Sequence, residues 1–197
     1  KYNEIGFDTL DFMLKELYDK EGGFYASYDA ESGGKEGAFY VWQPKELESL
    51  AGKKDGQALA ALMGVTDEGN FEEKTSVVTR RRPLAKVALE LDREVEDLTG
   101  LFEKWRPTLY QVRSKRDWPR LDTKMVTGWN GLAISAMAYG YRLSGRKHYL
   151  SAAETTAKRL WSAHREGADQ LARAKTDGKG DSRAILDDYA YLSVGLL

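Results

Sequence analysis

The sequence predicts a mainly α fold, part of an α/α toroid of helical hairpins with short β-hairpin excursions at one end. Two observations carry this. Apolar residues recur every three or four positions through most of the chain, the spacing that lines one face of a helix. In the last third, an apolar helix (Gly128 to Leu143), a tight connection (Ser144-Gly145-Arg146), a half-polar helix, a long loop and a second apolar helix opening at Asp187 follow one another. The two apolar helices begin about 59 residues apart, a helical-hairpin spacing. Hairpins repeated around a circle make a toroid in which apolar inner helices are enclosed by half-polar outer ones.

The elements follow in order. Leu10, Met13, Leu14, Leu17 and Tyr18 mark one face of a first helix, stopped by Gly22-Gly23. Two alternating aromatic runs, Phe24 to Tyr28 and Ala38 to Trp42, read as a β-hairpin around the polar loop Asp29 to Gly37. Pro44 suits the first turn of a short helix ending at Leu50, and a second runs from Asp55 to Met63. Val65 to Arg82 is polar, contains Gly69-Asn70 and reads as irregular. Leu84, Val87, Leu91, Val95, Leu98, Phe102 and Trp105 predict one long amphipathic helix, which Pro107 kinks or ends. After the inner helix, Tyr149, Ala152, Ala153, Thr156 and Leu160 form the apolar face of an outer one. The excursion Gly167 to Leu186 carries a short strand (Gln170 to Ala174) and a glycine-rich turn (Asp177 to Gly180). The chain is expected to be a single domain over residues 1–197, the first portion of a toroid cut at its C-terminus.

Composition narrows the chemistry. Thirty basic residues nearly cancel 31 acidic ones, so no global field draws nucleic acid or an anionic membrane. The absence of cysteine removes disulfides and thiolate chemistry, and two histidines leave little for a metal cage. No apolar run is long enough to span a membrane. The expectation is a cytoplasmic protein without cofactor, metal, nucleic-acid or membrane partner. A calcium loop starting at Asp29 fails, because its fifth position is Gly33 and its twelfth Tyr40. Arg80-Arg81-Arg82 has no aromatic interleaving and reads as a solvated loop.

The densest chemistry lies in Leu121-Asp122-Thr123-Lys124-Met125-Val126-Thr127-Gly128-Trp129-Asn130-Gly131-Leu132. Polar groups at the mouth of a buried helix cost free energy unless something satisfies them, and a ligand is one such partner. Asp122 is the candidate general base, with Lys124 beside it to bind a sugar hydroxyl or carbonyl. Alternatively, Asp122 pairs with Arg116 or Arg120 and pins the loop. Trp129 offers a stacking face for a sugar ring and Asn130 an amide to read its hydroxyls, although a tryptophan at a helix start is also ordinary core material. In a toroid, inner-helix N-termini face the long-loop end, which brings Asp188 and Tyr189 to the same mouth. An acidic residue there can instead cap its own helix. Asp29 and Glu31 form a second candidate acid–base pair, with Glu36 and Trp42 as substrate-binding neighbours, or else a solvated turn. His148 and His164 lie off this mouth, the latter late on an outer helix.

Several blocks carry a resemblance. Gly22-Gly23-Phe24-Tyr25, Asp29-Ala30-Glu31-Ser32, Glu36 to Trp42, Gly64-Val65, Gly69-Asn70-Phe71-Glu72, Leu121 to Leu132 and Leu186 to Ala190 follow in the order seen in thioredoxin-fused α/α-toroid proteins. That group includes the spermatogenesis-associated thioredoxin-like proteins. The resemblance implies an (α/α)6 domain similar to N-acylglucosamine 2-epimerases and six-hairpin glycosidases, and a thioredoxin-like domain elsewhere in the full protein. The related epimerases use histidines for proton transfer, and neither histidine here falls on a motif position. Two functions follow as expectations: binding or processing of a sugar or glycan at the toroid mouth, or docking of a peptide or protein for the thioredoxin-like domain. Inner-helix residues Leu192, Val194 and Leu196, left uncovered in a partial toroid, are expected to drive self-association.

Overall fold

The computed structural model describes residues 2–197. The fold is mainly α, with seven α-helices and short strand pairs among the described residues. Helix α1 (Tyr2–Phe12) runs into a π-turn, Met13–Leu17. Strands β1 (Ser27–Tyr28), β2 (Glu31–Ser32) and β3 (Lys35–Glu36) precede α2 (Pro44–Met63), α3 (Leu84–Glu90) and α4 (Val95–Arg113). Strands β4 (Leu121–Asp122) and β5 (Met125–Val126) lead into α5 (Thr127–Ser144) and α6 (Lys147–Arg159). A π-turn (Leu160–His164), β6 (Arg165–Glu166), β7 (Gln170–Thr176), β8 (Lys179–Arg183) and α7 (Leu186–Leu196) complete the chain. No described helix is long and apolar enough to cross a membrane.

The chain forms two compact units: one made by the chain up to Tyr28 together with Leu121–Leu197, the other an inserted unit, Asp29–Arg120. In the first, helical unit, Leu10, Phe24, Ile134, Met137, Tyr149, Leu160 and Leu192 build one core. Helices α5 and α7 meet at glycines. A Cβ added to Gly131 would sit 2.5 Å from the Tyr191 carbonyl group, and Gly195 leans on the Gly131 backbone in return. Gly131→Ala must therefore push α5 and α7 apart, although their shared interior is already close-packed. It is expected to cost about 2 kcal/mol in urea unfolding, whereas Gly100→Ala, a helical position with open space around it, is expected to stabilise by up to ~1 kcal/mol.

Strand pairing departs from the expected hairpin. Ser27 and Tyr28 pair antiparallel with Asp122 and Leu121, not with residues 38–42. The Phe24 backbone is already claimed by the Asn130 amide, and Trp42 bridges to Ser76. A short hairpin instead closes inside the polar loop, β2 to β3, across Gly33-Gly34, both with positive φ as a two-residue turn of type I′ requires. Strand β8, which periodicity did not reveal, pairs with β7 around Asp177-Gly178, and β7 also pairs with β5 and β6.

The inserted unit has its own core of Leu47, Leu59, Val87, Leu98, Leu101 and Leu109. The two short helices expected over residues 44–63 join at Gly52, which breaks the helical path at φ 77° and ψ 165°. The expected long amphipathic helix is likewise two. After α3, Asp92 takes a left-handed φ of 51° and the Arg93 N–H returns to the Ala88 carbonyl, the Schellman pattern. Helix α4 passes through Pro107 to Arg113, because that position is exposed and the Glu103 carbonyl it leaves unpaired can be hydrated.

Helix α5 is not enclosed. Its inner side is buried, but Trp129, Leu132, Tyr139 and Leu143 are exposed, as are Val194 and Leu196 on α7. Leu192, expected to be uncovered, belongs to the core at 4% exposure.

Candidate functional site

The start of α5 is built from groups that answer one another. Gly128 N–H donates to Asp188 Oδ1 (3.0 Å), and Ile185 N–H donates to Asp188 Oδ2 (3.0 Å). One buried carboxylate thus caps the first turns of both α5 and α7, where the helix dipoles favour negative charge. Gly128 favours this approach, since a Cβ would lie 3.1 Å from Asp188 Oδ1 and the carboxylate would have to give way slightly.

Asn130 is equally committed. Its Oδ1 accepts from Phe24 N–H (2.6 Å), while Nδ2 donates to the carbonyls of Phe24 (3.0 Å) and Val126 (2.9 Å). Phe24 bridges Tyr18, and the amide takes up the backbone N–H and carbonyl that this bridge leaves free. Around it, Gly23 N–H donates to Thr156 Oγ1 (3.1 Å) and Arg159 donates to the Gly22 carbonyl (2.8 Å), so α5 and α6 clamp the Gly22-Gly23-Phe24 turn together. Both glycines have φ above 90°, a region costly for other residues.

Other candidates face solvent. Asp122 is exposed, and its Oδ1 accepts from Lys124 N–H (3.0 Å), turning the chain from β4 towards β5. Trp129, between buried Gly128 and buried Asn130, is 58% exposed. Tyr189 is partly exposed, and its hydroxyl accepts from Leu171 N–H (3.2 Å). In the inserted unit, Asp29 Oδ1 accepts from Glu31 N–H (3.2 Å), and Glu31 stands opposite Glu36 on the exposed hairpin. A cavity of about 250 Å³ opens beside Glu36, with Glu46, Phe71, Glu73 and Arg116 among its walls. Trp42 offers no stacking face. It is buried at 4% exposure beneath the Arg116 guanidinium, 4.3 Å from its ring centre. Arg116, considered above as a partner for Asp122, donates to the Phe39 and Val41 carbonyls (3.1 and 2.6 Å) and pairs with Glu46.

Two clusters in the helical unit escaped sequence reasoning. Asp19 accepts from the Tyr25 hydroxyl, Arg159 and Glu21 N–H. Burial alone would raise the Asp19 carboxyl, but these donors outweigh it and hold it below its ordinary value. The bond to Asp19, helped by burial, pushes the Tyr25 hydroxyl up to about 12. The second cluster centres on His164, 2% exposed. Thr127 Oγ1 lies 2.6 Å from the Ala172 carbonyl, which can only accept, so Thr127 donates there. His164 Nδ1, 2.8 Å from the same oxygen, must then carry the proton. The imidazole is held neutral: burial drives its pKa down to about 4, with Lys175 and Arg159 adding and Asp188 opposing.

No family model matches the chain. It is similar to human spermatogenesis-associated protein 20, 29% identical over 229 residues that take in all of this chain and 29% of that protein. An uncharacterised protein of Caenorhabditis elegans is 29% identical over 234 residues, again all of this chain and 32% of its own length. Mouse spermatogenesis-associated protein 20 is 28% identical, with 29% of its length covered. The chain thus spans roughly three tenths of the curated relatives it matches.

Proposed function

We propose that the helical unit contributes a saccharide-binding surface at the start of α5, with Trp129 as the stacking face and Asp122 and Lys124 as hydrogen-bonding partners. The exposure of Trp129 carries this reading. Its neighbours Gly128, Asn130 and Gly131 are buried and committed to α7 or to the Phe24 turn, while the indole is left to solvent at a helix start. An indole face, with a carboxylate and an ammonium group on the segment that leads into the helix, suits a ring with apolar faces and polar edges. Asp188 and Asn130 are assigned to structure, so the reading is one of binding, with no acid–base role given to them. In this reading the chain belongs to an (α/α)6 toroid in a longer cytoplasmic protein that also carries a thioredoxin-like domain, in keeping with the similarity to proteins of which it matches only 29% and 32%.

A saccharide panel screened by thermal shift, followed by calorimetry, tests it. One sugar class is expected to stabilise the protein, and Trp129→Ala to weaken that binding about tenfold or more, equivalent to ~1.4 kcal/mol, with little change in folding stability. Silence across the panel overturns the reading. A second reading, docking of a peptide or protein, is favoured by the exposed line that continues from Trp129 through Leu132, Tyr139 and Leu143 along α5.

A further inference from the structure

In the inserted unit, a cavity of about 430 Å³ opens between the C-terminal end of α2 and residues 79–82. Its lining includes Ala61, Leu62 and Gly64 together with Arg80, Arg81 and Arg82. No acidic side chain lines it among the described residues. Arg82 pairs with Glu90, whereas Arg80 and Arg81 form no ion pair among the described residues. Arg80 and Arg81, neither in an ion pair among the described residues, therefore border one concavity whose lining also includes the apolar Ala61 and Leu62.

The backbone presenting them is fixed. Thr79 N–H donates to the Met63 carbonyl (2.9 Å). The Asn70 side chain pairs both ways with the Val77 backbone, accepting its N–H (2.8 Å) and donating to its carbonyl (3.0 Å). Gly64, at φ 68°, lets the Thr79 carbonyl approach where a Cβ would collide, and a Cβ on Gly69 would lie 2.5 Å from the Thr75 carbonyl oxygen. Residues 65–82, expected to be irregular, hold only a short 3-10 turn (Glu72–Lys74) between α2 and α3, yet these bonds and close approaches pin the backbone. The α2 terminus would disfavour an anion through its dipole, but its Ala60 and Met63 carbonyls already accept from Gly64, Val65 and Thr79.

From this geometry we infer that the cleft binds a small phosphorylated molecule. The phosphate dianion is held by the forked donors of Arg80 and Arg81, and the organic moiety rests on Ala61 and Leu62. Guanidinium matches phosphate in shape as well as charge. A polynucleotide would need a longer basic track with stacking aromatics, which this cleft lacks.

Calorimetry at constant ionic strength with inorganic phosphate and phenyl phosphate tests the site. Both are expected to bind saturably, phenyl phosphate more tightly because of Ala61 and Leu62. The double variant R80A/R81A, altered only at exposed positions, is expected to lose about a hundredfold in affinity, while K53A/K54A, with the same charge removed elsewhere, keeps wild-type binding. Absence of saturable binding, or equal losses in both double variants, overturns the inference. So does tighter binding of a single-stranded oligonucleotide than of phenyl phosphate, which would mark a nucleic-acid surface instead.

Discussion

Asn130→Leu is expected to destabilise the protein by about 3–5 kcal/mol, the largest effect of any single polar replacement in the helical unit. Leucine fits the volume but makes none of the three bonds. It leaves the Phe24 N–H and carbonyl without their Asn130 partners and the Val126 carbonyl with one donor fewer, in a site only 1% exposed. Each unsatisfied group costs its full desolvation, which is why the loss exceeds the worth of the bonds themselves. Asn130→Asp separates the contributions: it keeps an acceptor for Phe24 N–H but turns a carboxylate towards two carbonyl oxygens, and it is expected to be destabilising at neutral pH. Urea unfolding gives the magnitude, and amide exchange at Phe24 reports the local opening. Trp129→Ala, one residue away but 58% exposed, is expected to change stability by well under 1 kcal/mol. Comparable losses at the two positions would refute this account of the α5 start.

The contrast between these neighbours shows what a sequence can carry. Helices were legible because their signal is local: Tyr149, Ala152, Ala153 and Thr156 lie on one face of α6 and are buried as their spacing predicts. Breaks were less so. Asp92 ends α3 in a left-handed conformation usually taken by glycine, and nothing in the apolar spacing from Leu84 to Trp105 announces it. The hairpin expected of residues 24–28 does not form because Ser27 and Tyr28 find their strand partner at Leu121–Asp122, and the Phe24 backbone is met by a side chain 106 positions away in sequence. At the site, polar residues beside an apolar helix were legible as a cluster, but not in their roles. An amide that reads a ligand and one that pins a backbone turn have the same letter and neighbours, so Asn130 and Asp188 could be told from Trp129 only by what lies across from them. His164 and Thr127 meet because β7 brings Ala172 to Thr127, a long-range event that no motif near either residue encodes.

That long-range event has a measurable cost in acid. Lowering the pH from 7.5 to 5 is expected to remove about 2 kcal/mol of stability through His164 alone, and about 3 kcal/mol once its titration in the folded state is complete. The folded pKa of about 4 lies below the ordinary 6.5. The unfolded chain therefore takes up a proton that the folded chain refuses. The stability is fully present above about 6.5 and drains away as the pH falls towards 4. His164→Gln keeps a side-chain donor for Thr127 but cannot titrate. It is expected to cost about 1 kcal/mol at pH 7.5 and to give a flatter curve between pH 7.5 and 5, so that the two curves cross near about pH 6 and the variant is the more stable by about 1 kcal/mol at pH 5. Parallel curves would show that His164 accommodates its charge. The structure gives a reason why it does not: protonation adds charge beside Lys175 and Arg159, and the opposing carboxylate, Asp188, already spends both oxygens on the N–H groups of Gly128 and Ile185.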